Sequence, residues 1–571
     1  MKRLAVTLAM ASMLATGAAS AGSPDTPRTS AVDETAEDIP GELVVDFADD
    51  VPPTGITELF ARLAVGFTPS ALEVETRIEI VNVVGARLDE VRGALEKDPR
   101  VEVVEPHARV RALFVPNDPL LKEQWHLTRV GAERAWDFST GRGVTVAVID
   151  TGIACEKFGP YDKATDLAST RCVGGFNLIT KDVHANDDHG HGTHVAGTIA
   201  QSTNNGLGAA GMAFDARLMP VKVLTGEGWG TTSDVADGIR WAADHGAQVV
   251  NLSLGGPRNS KVIQRAIDYA KKRGVTVVAA AGNSGGAVGY PGASEGVIGV
   301  SALDPSDELA YFSSRGPGVD LAAPGVDVIQ QTICNGGRDR CERFPSYNGT
   351  SMASPHVAGA AALLVSLGVS DPTAVERALT KHARKLDDSA KGRFQFGAGA
   401  LDAARALRSV ALERTLGRLV ALSLLIYFVF RNVRRRDPRL SPWTSRFLIP
   451  ALLAGPGLLF FAPFLVGRHN DLVDLLARPL PDWDILLGVS FHGFLPLGTV
   501  LLPLGLTLVF LNLRGARPVL AGLAVGIAAY SFAAAVQGGI HSPMGRWGLA
   551  LFAVANAVAC VLLARLVLTE K

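Results

Sequence analysis

Apolar positions along this chain follow three rhythms, each predicting a different kind of structure. In residues 41–115 they mix. Residues 42–47 read as a strand, Ile56, Leu59, Phe60 and Leu63 recur at helical spacing, and 77–84 is β-branched and alternating. Leu88, Val91 and Leu95 mark a second helix, and 101–105 another strand. If the long middle stretch supplies two strands, the order is βαββαβ, a small ferredoxin-like α+β unit. Across 117–408 the rhythm changes to short apolar runs (144–149, 217–223, 248–252, 276–280 and 297–300) separated by helix-like segments such as 233–245 and 261–273. That pattern predicts an α/β domain, a parallel sheet with helices on both faces, whose sites lie at the carboxyl ends of the strands.

Beyond residue 416 the apolar runs lengthen. Segments 447–467, 485–512, 518–537 and 547–564 contain no Asp, Glu, Lys or Arg. Each is near or above the roughly 20 residues that cross a bilayer as a helix. Segment 419–430 becomes a fifth span only if Arg418 snorkels and Leu416 joins it. A transmembrane region of about five helices, 416–568, is therefore expected, with the lipid bilayer as partner. Loop charge orients it: Arg431, Arg434, Arg435, Arg436, Arg439 and Arg446 lie between the first two spans, offset by Asp437 alone. Asp471, Asp474, Asp482 and Asp484, with Arg468 and Arg478, lie in the next loop. Arg514 and Arg517 follow the third span, and Arg565 and Lys571 close the chain. Basic loops mark the cytoplasmic side, which puts 117–408 outside the cytoplasm in a multi-pass cell-membrane protein.

The amino end agrees. Lys2 and Arg3, an apolar run, and Ala19-Ser20-Ala21 read as a secretory signal over 1–21. Residues 22–38, rich in Pro, Thr, Ser and acids, read as a linker. Outside the cytosol, Cys155 with Cys172 and Cys334 with Cys341 are expected as two short-loop disulfides. Cys560 is left inside a predicted span.

Composition narrows the function. The 571 residues carry 55 Lys and Arg against 56 Asp and Glu, a net charge of −1, so no positive excess is available for nucleic acid. A mean hydropathy of +0.21 is accounted for by the apolar ends.

Three segments carry candidate chemistry. Asp150 ends the first apolar run of the α/β region, in Val148-Ile149-Asp150-Thr151-Gly152. Asp188-His189-Gly190-His191-Gly192-Thr193-His194 places three histidines in six residues. The glycines between them and the helix-like tail argue against a metal cluster. Gly349-Thr350-Ser351-Met352-Ala353-Ser354-Pro355 opens an Ala-rich helix with a serine. Serine is a poor nucleophile until a base takes its proton, and that imidazole needs a carboxylate to hold its tautomer. Together the three segments supply what acyl transfer requires.

In the order Asp, His, Ser these motifs resemble those of the subtilisin-like serine proteases, over about residues 117–408. The resemblance implies a subtilisin-like fold and peptide-bond hydrolysis through an acyl-enzyme. Asp150 would orient, His191 would be base then acid, and Ser351 would be the nucleophile. Ala279-Ala280-Ala281-Gly282-Asn283-Ser284 matches the family's oxyanion segment, so Asn283 and the Ser351 N–H would receive the developing charge. Ser253, Leu254 and Gly255 resemble one substrate-pairing strand, and Gly228, Trp229 and Gly230 the opposing one. Gly289 matches the pocket floor, with Gly282 beside it. No cofactor is implied for the chemistry. A structural calcium is, with Gln124, Asp166 and Asn205 at the ligand positions. Residues 39–116 would then be an inhibitor-like propeptide, the chain's own intramolecular partner, cut near 112–117, and the other partners would be polypeptide substrates. The competing expectation is a catalytically silent ectodomain on a membrane sensor or transporter. The presence of all four catalytic-type residues argues against it.

Overall fold

The computed structural model describes residues 37–70, 76–83, 87–109, 114–435, 440–467, 470–486 and 488–569. The expected signal segment, nearly all of the linker and part of the expected cleavage region lie outside these residues. The chain divides into two units, 1–112 and 113–571.

In the first unit the middle stretch does supply two strands. The order is β1 (Glu37–Phe47), α1 (Pro53–Leu63), β2 (Gly66–Pro69), β3 (Ile78–Asn82), α2 (Leu88–Leu95) and β4 (Val101–Arg109). The antiparallel sheet runs β2-β3-β1-β4, the ferredoxin-like order. β1 begins two residues inside the expected linker because Glu37 and Asp38 pair with Arg109 and Ala108. Ile56, Leu59 and Phe60 of α1 and Val91 and Leu95 of α2 are buried against one sheet face with Leu43, Val45 and Phe47. Asp98 accepts two bonds of 2.8 Å from the Arg100 guanidinium, which pulls its carboxyl down to about 2.

After two short helices, Trp125–Arg129 and Ala132–Ala135, the second unit runs through β5 (Thr145–Asp150), β6 (Arg171–Cys172), β7 (Phe176–Asn177), α3 (His191–Ala200), β8 (Arg217–Lys222), α4 (Thr232–Asp244) and β9 (Val249–Leu252). It continues through α5 (Lys261–Lys272), β10 (Thr276–Ala280), β11 (Val297–Leu303), β12 (Leu321–Pro324), α6 (Thr350–Ser366) and α7 (Pro372–Lys381). Among the described residues eight strands form one parallel sheet, ordered β12-β11-β10-β9-β5-β8-β6, with β7 also on β8. α4 and α5 bury Val235, Ile239, Ala266 and Ile267 on one face. α6, buried along almost its whole length by Ala, Val and Leu, lies on the other. Both faces are therefore dry, which is why the strands read as unbroken apolar runs. Disulfides join Cys155 to Cys172 and Cys334 to Cys341.

The main helices of the apolar end are α8 (Ala403–Val433), α9 (Ser445–Ala454), α10 (Leu501–Phe510), α11 (Arg517–Gln537) and α12 (Gly545–Thr569), with a shorter helix, Asp471–Ala477, between α9 and α10. Four segments are long and apolar enough to cross a membrane: Ala403–Val433, His492–Phe510, Arg517–Gln537 and Gly545–Thr569. α11 is the hub. Its Ala521, Gly522, Ala524, Gly526 and Ala528 let neighbours approach closely, and a Cβ on Gly522 would lie 2.2 Å from the Phe447 carbonyl. Outward-facing Leu508, Val509 and Leu551 are 70–79 % exposed, large apolar side chains left on the surface of the bundle.

Three expectations about this region need correction. Segment 447–467 is not one span: α9 stops at Ala454 before Gly455-Pro456-Gly457, and only a short turn, Ala462–Leu465, follows. Segment 485–512 is not one helix either. Short turns, left-handed at Leu495 and extended at Thr499, precede α10. Nor does Arg418 snorkel to water. It is buried, and its Nη2 donates to Asp482 Oδ2 at 3.1 Å, within a helix that runs unbroken across the expected domain boundary.

Candidate active site

Parallel pairing sets the frame. Val148 of β5 lies beside Asn251 of β9, so Asp150 and Ser253, two residues further along each strand, end on neighbouring tracks about 5 Å apart. Asp150 is fully buried. Its Oδ1 accepts from Thr151 N at 2.8 Å and pairs with His191 Nδ1 at 2.7 Å. His191 is the first residue of α3 and keeps 23 % of its side chain exposed. Gly192 after it has no alternative, because a Cβ there would lie 2.1 Å from the Gly152 carbonyl. Burial opposes a charged His191 ring. The adjacent Asp150 carboxylate, with Asp187 further off, outweighs that and holds its pKa above the ordinary histidine value.

Asp187 was not singled out from the sequence, yet it builds this corner. Its Oδ1 accepts from Thr151 Oγ1, His189 N and Gly190 N, and its Oδ2 from Thr193 N and Oγ1. It thereby caps the start of α3 and fixes where His191 emerges. His194 sits one turn on, buried and stacked on Tyr347 at 4.2 Å, with burial pushing it down to about 3. His189 is exposed. Neither contends for the base position.

Ser351 enters from the first turn of α6. Its hydroxyl donates to the Ser253 carbonyl at 3.1 Å, and the Ser253 hydroxyl donates to the Ser351 carbonyl at 2.7 Å. Asn251 and Ser354 extend this clasp, Ser354 Oγ donating to Asn251 Oδ1 and Asn251 Nδ2 to Ser253 Oγ. His191 and Ser351 are thus each tied to the end of one of two adjacent strands. No direct hydrogen bond joins them among the described residues.

Asn283 follows β10 on the other side of Ser351. Its Oδ1 accepts from Thr350 N at 2.9 Å and Thr350 Oγ1 at 2.8 Å, which fixes the amide with Nδ2 pointing away from them. A Cβ built on Gly349 would lie 3.4 Å from Asn283 Nδ2 and 3.6 Å from Ser351 N. The hollow left by that missing methyl therefore has two N–H donors on its wall. Thr350, a further residue not singled out from the sequence, also accepts from Gly282 N at 3.1 Å.

The residues expected to bind substrate flank this point. Ser253, Leu254 and Gly255 leave the sheet beside Gly256, which exchanges two 2.8 Å bonds with Tyr290. Gly289 donates to the Ala281 carbonyl, and a Cβ on it would lie 3.2 Å from Gly256 O, between the exits of β9 and β10. Gly228, Trp229 and Gly230 form a turn closed by Thr225 N to Trp229 O at 2.8 Å, with Trp229 78 % exposed.

The calcium ligand set does not fit a cation. Asp166 Oδ1 accepts from Asn205 Nδ2 at 2.7 Å and Oδ2 from Ala209 N at 3.0 Å. Asn205 Oδ1 accepts from Leu207 N, and Gln124 Oε1 from Ala210 N at 2.7 Å. Every side-chain oxygen of the three faces an N–H. Burial pushes the Asp166 carboxyl up to about 7.

An eight-stranded parallel sheet with Asp150, His191, Ser351 and Asn283 at its carboxyl ends is the architecture of a subtilisin-type hydrolase. The Subtilase family profile matches residues 141–399. The thermophilic serine proteinase of Bacillus sp. (strain AK1) is 36 % identical over 362 residues, 63 % of this chain and 86 % of that relative. Thermitase of Thermoactinomyces vulgaris is 40 % identical over 286 residues, 49 % of this chain and 97 % of its own. Among solved structures, a protease from Pseudoalteromonas arctica PAMC 21717 has 34 % identity and a TM-score of 0.46, covering 52 % of this chain and 99 % of its own. The chain belongs to the Subtilase family. It is a subtilisin-like serine protease.

Proposed function

We propose that the protein is a membrane-anchored serine endopeptidase in which Ser351 attacks the peptide carbonyl, His191 carries the proton and Asp150 steadies the imidazole. The observation that carries this reading is that Asp150 and His191 pair at 2.7 Å at the end of β5 while Ser351 is held at the end of the adjacent strand β9 through Ser253, with Asn283 Nδ2 and Ser351 N within 3.6 Å of the space a Gly349 Cβ would fill. Attack turns the carbonyl oxygen into an oxyanion, and donors already aimed at its position stabilise it without reorganisation. The His191 Nδ1 contact with Asp150 leaves Nε2 to accept the Ser351 proton and return it to the leaving amine. Before that transfer the hydroxyl must rotate away from the Ser253 carbonyl, a single torsion about Cα–Cβ.

The remaining parts extend the reading. The ferredoxin-like unit is an inhibitor-like propeptide released by self-processing. The apolar helices anchor the chain in the cell membrane, with the protease domain on the extracytoplasmic side. The test is hydrolysis of an unstructured peptide by the full chain in membranes. Wild type cuts it, whereas Ser351→Ala loses at least about 10³-fold in rate and accumulates with residues 39–116 still attached. Equal rates in the two would contradict the reading.

A further inference from the structure

The catalytic residues lie at the carboxyl ends of the strands, so the amino ends form the opposite face of the domain, and that face is covered by the apolar region. A Cβ on Gly143, two residues before β5, would lie 2.0 Å from the Ile485 carbonyl. One on Gly274, two residues before β10, would lie 2.4 Å from the His541 ring. The far end of α6 is held in the same way. Arg478 Nη1 donates to the Ser366 carbonyl at 2.6 Å and Arg414 Nη1 to the Leu367 carbonyl at 3.1 Å. Ser351 opens the helix whose other end these arginines grip. Fifteen steps of helix between Ser351 and Ser366 separate the nucleophile from the junction by roughly 22 Å.

The junction meets one common end of the apolar helices. Having started inside the protease domain, where Ala403 N donates to the Val130 carbonyl, α8 crosses the junction. α11 finishes there, with Gln537 Nε2 donating to the Glu413 carbonyl at 2.8 Å, and α12 starts a few residues later. Arg431, Arg434 and Arg435 end α8, Arg517 opens α11 and Arg565 closes α12, all at the far end. An excess of arginine marks the cytoplasmic side, so the junction is at the outer surface. Nor is there a loose tether. α8 passes from the protease domain into the apolar bundle as one 31-residue helix. Arg142 of the protease domain pairs with Asp471 at 2.7 Å across the junction, and Arg418 with Asp482 and Arg478 with Asp474, both at 3.1 Å, brace its apolar side.

We infer that the membrane region is a rigid pedestal that holds the cleft facing away from the bilayer, so that the substrates are exposed, extended segments of extracytoplasmic polypeptide and bonds close to a membrane surface are out of reach. This rests on the endopeptidase reading and on the apolar helices spanning the bilayer. A chain that has to cover the length of α6, roughly 22 Å, needs about 7 extended residues, before those that fill the cleft.

The test uses the full chain in liposomes and one unstructured cleavable sequence in four forms. One is a free peptide, and three are anchored in the same bilayer by flexible tethers of about 5, 15 and 40 residues. The expected result is cleavage of the free peptide and of the 40-residue form, with the 5-residue form at least about 10-fold slower, because a linker that cannot span contributes almost no effective concentration. Equal cleavage at all tether lengths would overturn the pedestal while leaving the endopeptidase reading intact. Protection of even the 40-residue form would also overturn it, since height alone would then not explain the selection. An uncut free peptide would remove the endopeptidase reading, and the inference with it.

Discussion

Thr350 is the residue on which the orientation of the Asn283 amide turns. Two of its groups, N–H and Oγ1–H, occupy the Asn283 oxygen, and only that arrangement turns Nδ2 toward the hollow at Gly349. Thr350→Val keeps the shape and the backbone donor and removes the hydroxyl. The expected outcome is a fall in kcat of about 10-fold with KM little changed, against roughly 10²–10³ for Asn283→Ala, the scale known for the corresponding donor in subtilisin. Steady-state kinetics on one peptide checks both, and an unchanged kcat in Thr350→Val would remove the positioning role. Asp150, His191, Ser351 and Asn283 were legible because each sits in a short motif whose residue types are dictated by chemistry. Asp187, Thr350 and Ser354 were not, because a scaffold acts through bonds to backbone atoms brought together by folding, and such bonds leave no spacing to read.

At the scale of elements, the turn between β5 and β6, bonded to the loop after α3, carries a consequence for pH and calcium. Asp166 is buried with N–H donors on both oxygens, and its carboxyl holds a proton up to about 7, where a free carboxyl loses it near 4. Between those values the unfolded chain is ionised and the folded chain is not, so stability declines as pH rises and stays lower above pH 7. Wild type is expected to lose on the order of 1–3 kcal/mol between pH 5 and pH 8, a loss that D166N lacks. Thermal midpoints at the two pH values, with chelator and with added calcium, check this. A calcium-dependent rise in wild type that D166N lacks would restore the cation site. Elements themselves were read well: all five apolar runs of the α/β region, buried on both faces, are strands of one sheet, and the six elements of the first unit, buried on one sheet face, appear in the expected order. The boundaries failed where apolar content alone was the guide. Segment 447–467 is apolar throughout, but Gly455, Pro456 and Gly457 end the helix inside it, after it has run through Pro450.

For the whole molecule, the sequence indicated a protease domain and an apolar region as separate blocks joined near residue 408–416. What it did not convey is their fusion. Asp482 and Asp484 read as loop acids, yet both are buried together with His492. His492 Nδ1 pairs with Asp484 at 2.9 Å, and the Tyr530 hydroxyl donates to Asp482. Partners so distant in the chain, such as Arg418 with Asp482 and Arg142 with Asp471, are invisible to any local pattern. The account as a whole depends on one activated hydroxyl, which a serine-directed fluorophosphonate reports directly. The rate of labelling of the full chain in membranes, followed against pH, is predicted to fall on the acid side with a midpoint above the ordinary histidine value of 6.5, because the base must be neutral and Asp150 holds its proton on longer. No label is predicted on Ser351→Ala at any pH. Labelling that persists in that variant, or a rate in wild type indifferent to pH, would contradict the account.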